Sequence, residues 1–148
     1  MEIEVLTTSK KLADFLLGAA TFYAKQLGLE NSRYKVVIAT NPTLKADGNN
    51  GVCMKTGHRQ ITVGLYSRLN TIRMLYTLAH EMVHVKQIAK GQYRHEAKRG
   101  YYQHYWLGQR VKAEYIKRPW EIEAFKRESI LFESLADHVT KKMKRNKK

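Results

Sequence analysis

The segment Leu78–Gly91, LAHEMVHVKQIAKG, carries two histidines four residues apart, with a glutamate directly after the first. The surrounding pattern predicts a helix from Asn70 or Thr71 to Lys90, stopped by Gly91. Its middle, MLYTLAHEMVHV, is apolar nearly all round, which marks a helix buried in the protein. His80 and His84 therefore belong to the interior, where each imidazole needs a partner. Residues at i and i+4 share one helix face, with Cβ atoms about 5–6 Å apart. That separation lets both imidazoles reach one metal ion at ~2.0–2.1 Å, and zinc is the ion expected. Glu81, about 100° further round the helix, can flank the ion without binding it. The competing reading is a pair of structural histidines.

A catalytic zinc takes three protein ligands and keeps a fourth position open. The downstream candidates are His95, His104, His138, Glu121 and Glu123. Pro119 is a favoured first-turn residue and predicts a helix through WEIEAFKRESILFESLADHVTKKMK. On that helix Glu121 shares a mostly apolar face with Ala124, Phe125, Glu128, Phe132 and Leu135. Glu123 shares a face with Lys126, Arg127, Ile130 and Ser134, which reads as solvated. Glu121 is accordingly the expected third ligand, the plainer reading of either acid being a favourable charge in a helix first turn. His95 and His104 read as exposed loop residues, and His138 as structural or solvated.

Outward from this pair of helices, Leu12, Phe15, Leu16, Ala19, Phe22 and Tyr23 predict a first helix, capped by Ser9 and stopped by Gly28. RYKVVIAT, GVCMKTG and RQITVGLYS read as three short strands of a small mixed or largely antiparallel sheet, with LKADGNNG as a turn-rich loop. Residues 91–118 read as a loop excursion with little regular structure, apart from YYQHYWLG as a strand or hairpin arm. With no repeat and no linker, residues 1–148 are expected to form a single α+β domain.

Composition narrows the setting. The single cysteine, Cys53, excludes an internal disulfide framework and fits a reducing compartment; it reads as a half-buried strand residue. The N-terminus shows no export signal and no apolar run approaches the ~20 residues of a membrane helix, so a cytoplasmic protein without membrane contact is expected. The net charge of +14 remains about +8 without the basic tail 141–148, which favours anionic partners, nucleic acid among them.

HEMVHVKQIAKGQ followed by RPWEIEAF resembles the zincin metallopeptidases in their gluzincin branch, and is similar to small metallopeptidases predicted in bacteriophage genomes. The spacing from Glu121 to Ala124 is similar to the third-ligand motif of the CAAX-type membrane gluzincins and of the ImmA/IrrE type. The resemblance implies a minimal zincin-like fold: an N-terminal helix, a sheet of three to four strands, the HExxH helix and a C-terminal helix. It implies His80, His84 and Glu121 as zinc ligands and Glu81 as the general base on the water attacking a peptide bond. Donors to the oxyanion would come from Tyr93, Tyr115, His95 or His104, and a polypeptide substrate would add as a strand between the sheet edge and the histidine helix. The membrane families often carry an Asp four residues after the ligand Glu; here that residue is Phe125, which leaves the partner of a zinc histidine unassigned. SprT-like DNA-associated proteases use a third histidine. With His95 and His104 in a basic chain, such a protease, or a nucleic-acid-binding protein with a vestigial metal site, is the alternative.

Overall fold

Period-two alternation builds a four-stranded sheet from the first half of the chain. Strands β1 (Glu2–Leu6), β2 (Lys35–Asn41), β3 (Gly51–Gly57) and β4 (Gln60–Tyr66) lie in the order β1-β2-β4-β3. Val36 and Ile38 of β2 stand opposite Ile61 and Val63 of β4, all four fully buried. The β1–β2 and β2–β4 pairs are parallel and β3 runs antiparallel to β4, so the sheet is mixed. The computed structural model describes residues 1–44 and 50–146. The centre of the turn-rich segment LKADGNNG, residues 45–49, lies outside the described residues.

Strand β1 lies in the charged N-terminus, where no strand was expected. Its alternation puts Ile3 and Val5 against the core while Glu2 and Glu4 face out to Lys35, the latter at 2.9 Å. Helix α1 (Lys10–Gln26) is capped as expected: the Ser9 hydroxyl accepts from the Leu12 N–H at 3.1 Å. Gly28, at φ +72°, ends it.

Helix α2 (Thr71–Ala89) starts at Asn70, whose side chain accepts from the Arg73 N–H, and stops at Gly91 with φ +70°. It packs against α1, β3, β4 and the long helix α3 (Pro119–Asn146). That central position explains a helix apolar on nearly every side: Met74, Leu78, Ala79, Met82, Val83 and Val85 are all buried. Among the described residues, no helix is long and apolar enough to cross a membrane.

The excursion 91–118 is more regular than expected, although the strand read at YYQHYWLG is present. It holds a three-stranded antiparallel meander, β5 (Tyr93–Lys98), β6 (Tyr101–Trp106) and β7 (Gln109–Val111), followed by a 3-10 turn at Tyr115–Lys117. Two tight turns make it: Gly100 lies at φ +81°, and Leu107 and Gly108 at +50° and +83°. A glycine that takes positive φ at the second turn position reverses a hairpin within two residues. Arg99-Gly100 and Leu107-Gly108 were thus the overlooked signals.

Strand β3 approaches α2 so closely that Gly51 is required. A Cβ at that position would sit 2.6 Å from Cγ2 of Thr77 and 3.1 Å from Cγ of Glu81. Thr77 is β-branched and cannot swing aside cheaply. Gly51→Ala is therefore expected to destabilise the protein by about 1–3 kcal/mol through overpacking. Urea denaturation would read this as a lowered midpoint with an unchanged slope.

Candidate metal centre

Helices α2 and α3 bring three side chains to one point. Nε2 of His80 and Nε2 of His84 lie 3.0 and 2.9 Å from the same Glu121 oxygen, Oε1. One ligand atom from each of the three lies within 4.8 Å of the others. His80 and Glu121 are buried, and His84 is nearly so. The shared face of i and i+4 sets the histidines side by side, their rings 5.0 Å apart. The apolar face of α3 turns Glu121 inward, and Ala124, fully buried, allows the helices close together.

The outer ring nitrogens are held as well. Nδ1 of His80 lies 2.8 Å from Glu128 Oε2, and Nδ1 of His84 lies 2.8 Å from Gln87 Oε1. The Gln87 amide nitrogen donates to the Trp120 carbonyl and to Glu123 Oε1, each at 2.9 Å, which fixes its oxygen toward His84. Glu123 in turn accepts from the buried Lys86 ammonium at 2.6 Å. The rest of its face is largely solvated, as expected, with Lys126, Arg127 and Ile130 exposed; Glu123 itself turns in behind the site and orients it through Gln87. Glu128, one heptad beyond Glu121 on the same face, supplies the histidine partner that Phe125 could not. Phe125 is half-exposed, its ring 4.7 Å from that of His80.

Both outer partners accept hydrogen bonds, so both Nδ1 atoms carry protons. This tautomer turns each Nε2 lone pair inward. The donor set is then two imidazole nitrogens and one carboxylate oxygen on a shared centre, and such a group could hold a metal ion. Without an ion, each Nε2 can donate to Glu121 only if it is protonated too. Burial opposes the charge on His80, but the hydrogen bond to Glu121 and the nearby Glu81 and Glu128 outweigh it and raise the pKa to about 8. His84 is raised for the same reasons, by Glu121 and Glu81 against burial. Burial pushes Glu121 upward, and the two histidines overcome it and hold the carboxyl down to about 2.

Glu81 is buried beside this group. Burial raises its pKa, with His84 and His80 pulling the other way. An open cleft runs past it, between the edge strand β3 at Gly51–Met54 and the side chains of His80, His84, Tyr93, Tyr115 and Glu121. Tyr115 is half-exposed on the cleft, and its phenol is raised to about 12 by burial and then by Glu121 and Glu81. Tyr93 is raised to about 12, burial first, and its hydroxyl lies 2.7 Å from Nδ1 of His104. His95 and His104 stand opposite each other in the meander and do not join the three-residue group. His138 packs against Phe22. Burial pushes the Cys53 thiol well up, so it stays neutral in the cleft wall. Compared with protein-family models, with curated proteins and with solved structures, the chain matches none.

An ion bound at this centre must displace the Nε2 protons, so its affinity rises with pH. In the metal-free protein the two groups run in opposite senses. The His80 contribution to stability is complete below its ordinary 6.5 and lost as pH rises through about 8. That of Glu121 is complete above its ordinary 4.5 and lost as pH falls through about 2. Thermal melts with and without a divalent ion are expected to show a larger metal-induced rise in Tm at about pH 8.5 than at about pH 6.

Proposed function

We propose that the chain is a zinc-dependent peptidase of gluzincin type, with His80, His84 and Glu121 as ligands. The convergence of these three groups beside the buried Glu81, on a cleft open to substrate, carries this reading. Two imidazoles and a carboxylate suit zinc, and the Nδ1 partners of both histidines favour the ligating tautomer. Zinc held there would supply Lewis acidity and lower the pKa of the attacking water.

The chain's own residues do the remaining work. Glu81 accepts the proton of the water that attacks the peptide carbonyl and passes it to the leaving nitrogen. Its raised pKa brings the carboxyl nearer neutrality, where giving and taking a proton are both easier. Tyr115 borders the cleft with its phenol protonated and can donate to the oxyanion. Strand β3 ends the sheet, and no strand lies beyond it among the described residues. An extended polypeptide can pair with its free edge, which draws the scissile bond past His80 and Glu81. A single cysteine, Cys53, fits a cytoplasmic setting. The SprT-like alternative draws less support, because His95 and His104 are committed to the meander.

Glu81→Gln is expected to keep stoichiometric zinc while lowering kcat on a fluorogenic peptide mixture by about 10²–10⁴. Glu121→Ala is expected to lose the metal. Zinc content by mass spectrometry, read beside the hydrolysis rates, checks both. A zinc-free wild-type protein, or full turnover by the Gln variant, would refute the proposal.

A further inference from the structure

The meander β5–β7 has two unlike faces. On one, Tyr93, His104 and Trp106 pack onto Trp120 at the start of α3, with ring centroids 4.8, 5.3 and 6.4 Å away. The strand register sends the alternate residues to the other face, in three rows. One row is Arg94, Tyr105 and Arg110, the next Glu96 with Gln103, and the last Lys98 with Tyr101. Arg94, Lys98, Arg110 and Tyr101 are exposed. The face thus carries an aromatic ring beside a cation at each end, with its acid in the middle.

We propose that this outer face binds single-stranded nucleic acid, independently of the metal centre. The physical fit is twofold. The Arg94 guanidinium lies 4.1 Å over the Tyr105 ring, so its free side is a flat cationic platform on which a base can stack. Tyr101, 54% exposed, offers a second ring four residues along the same strand, about 13 Å away. Lys98 stands beside Tyr101 on one side of β6 and Arg110 beside Tyr105 on the other, so each ring has a cation within reach of a bound nucleotide's phosphate. Glu96 is held by Arg94 and by Lys98 at 3.5 Å, and Arg94 first of all lowers its pKa. It spaces the cations and leaves the face with surplus positive charge. An acidic polypeptide would satisfy the cations but has no flat partner for the rings. A duplex would hide its bases from them.

Fluorescence anisotropy tests this with full-length protein and labelled oligothymidylate of about 12 nucleotides, its RNA counterpart and a duplex of equal length. Single strands are expected to bind more tightly than the duplex, with log affinity falling linearly in log salt. Tyr101→Ala should weaken binding roughly fivefold to a hundredfold, and Tyr101→Phe should restore it. Arg110→Ala should flatten the salt slope by about 1, and Glu96→Gln should tighten binding. Zinc content should stay unchanged throughout, which separates this face from the metal centre. The proposal fails if the duplex binds as tightly as the single strands. It also fails if Tyr101→Ala has no effect, or if neutralising Lys141, Lys142, Lys144 and Arg145 alone removes all binding. DNA bound in preference to RNA, or the reverse, would support the face and name its ligand.

Discussion

Two imidazoles on α2, one buried and one nearly so, share one carboxylate oxygen from α3, and the rest of the molecule is arranged so that they can. Charges placed this deep are costly unless each is paired and fully hydrogen-bonded. Here each ring nitrogen has a partner: Glu121 on the inner side, Glu128 and Gln87 on the outer. The pairing needs α2 and α3 in register and close together. Ala124 at the crossing, and the apolar sides of both helices, meet that need.

The site is also an electrostatic exception. The chain is strongly basic, yet Glu81, Glu121, Glu123 and Glu128 gather around two histidines. That local excess of negative charge favours any cation there, whether protons on the imidazoles or a metal ion. The buried Lys86 does not cancel it, because its ammonium is spent on Glu123 at the rear. The chain from Lys86 through Glu123 and Gln87 to His84 instead fixes which ring nitrogen faces the centre. Strand β3 closes the arrangement from the other side, where Gly51 lets it run directly against Glu81.

Much of this was legible in the chain because it follows from local periodicity. A 3.6-residue repeat placed His80, His84 and Glu81 on α2, and the same repeat chose Glu121 over Glu123 as the inward acid of α3. The cap at Ser9 and the stops at Gly28 and Gly91 are local chemistry, and they stand where the residues put them. The misses have equally physical causes. β1 is five residues long and its outward glutamates masked the alternation of Ile3 and Val5. The meander was hidden by strands of mixed polar and aromatic residues, one face packing on Trp120 and the other open, which leaves no clean apolar alternation.

The sequence by itself determined the two helices, their inward faces and the residues able to meet between them, since those depend only on side-chain type and helical spacing. Tertiary structure alone decided the partners: that Glu128 and Gln87 hold the outer nitrogens, that Glu123 turns back to Lys86, and that β3 is the edge beside Glu81. Those contacts join residues some 30 to 50 positions apart in the chain, or, like Gln87 and His84, depend on a third group to orient the amide. Periodicity describes one element at a time, and it carries no information on the rotation and offset at which two elements pack.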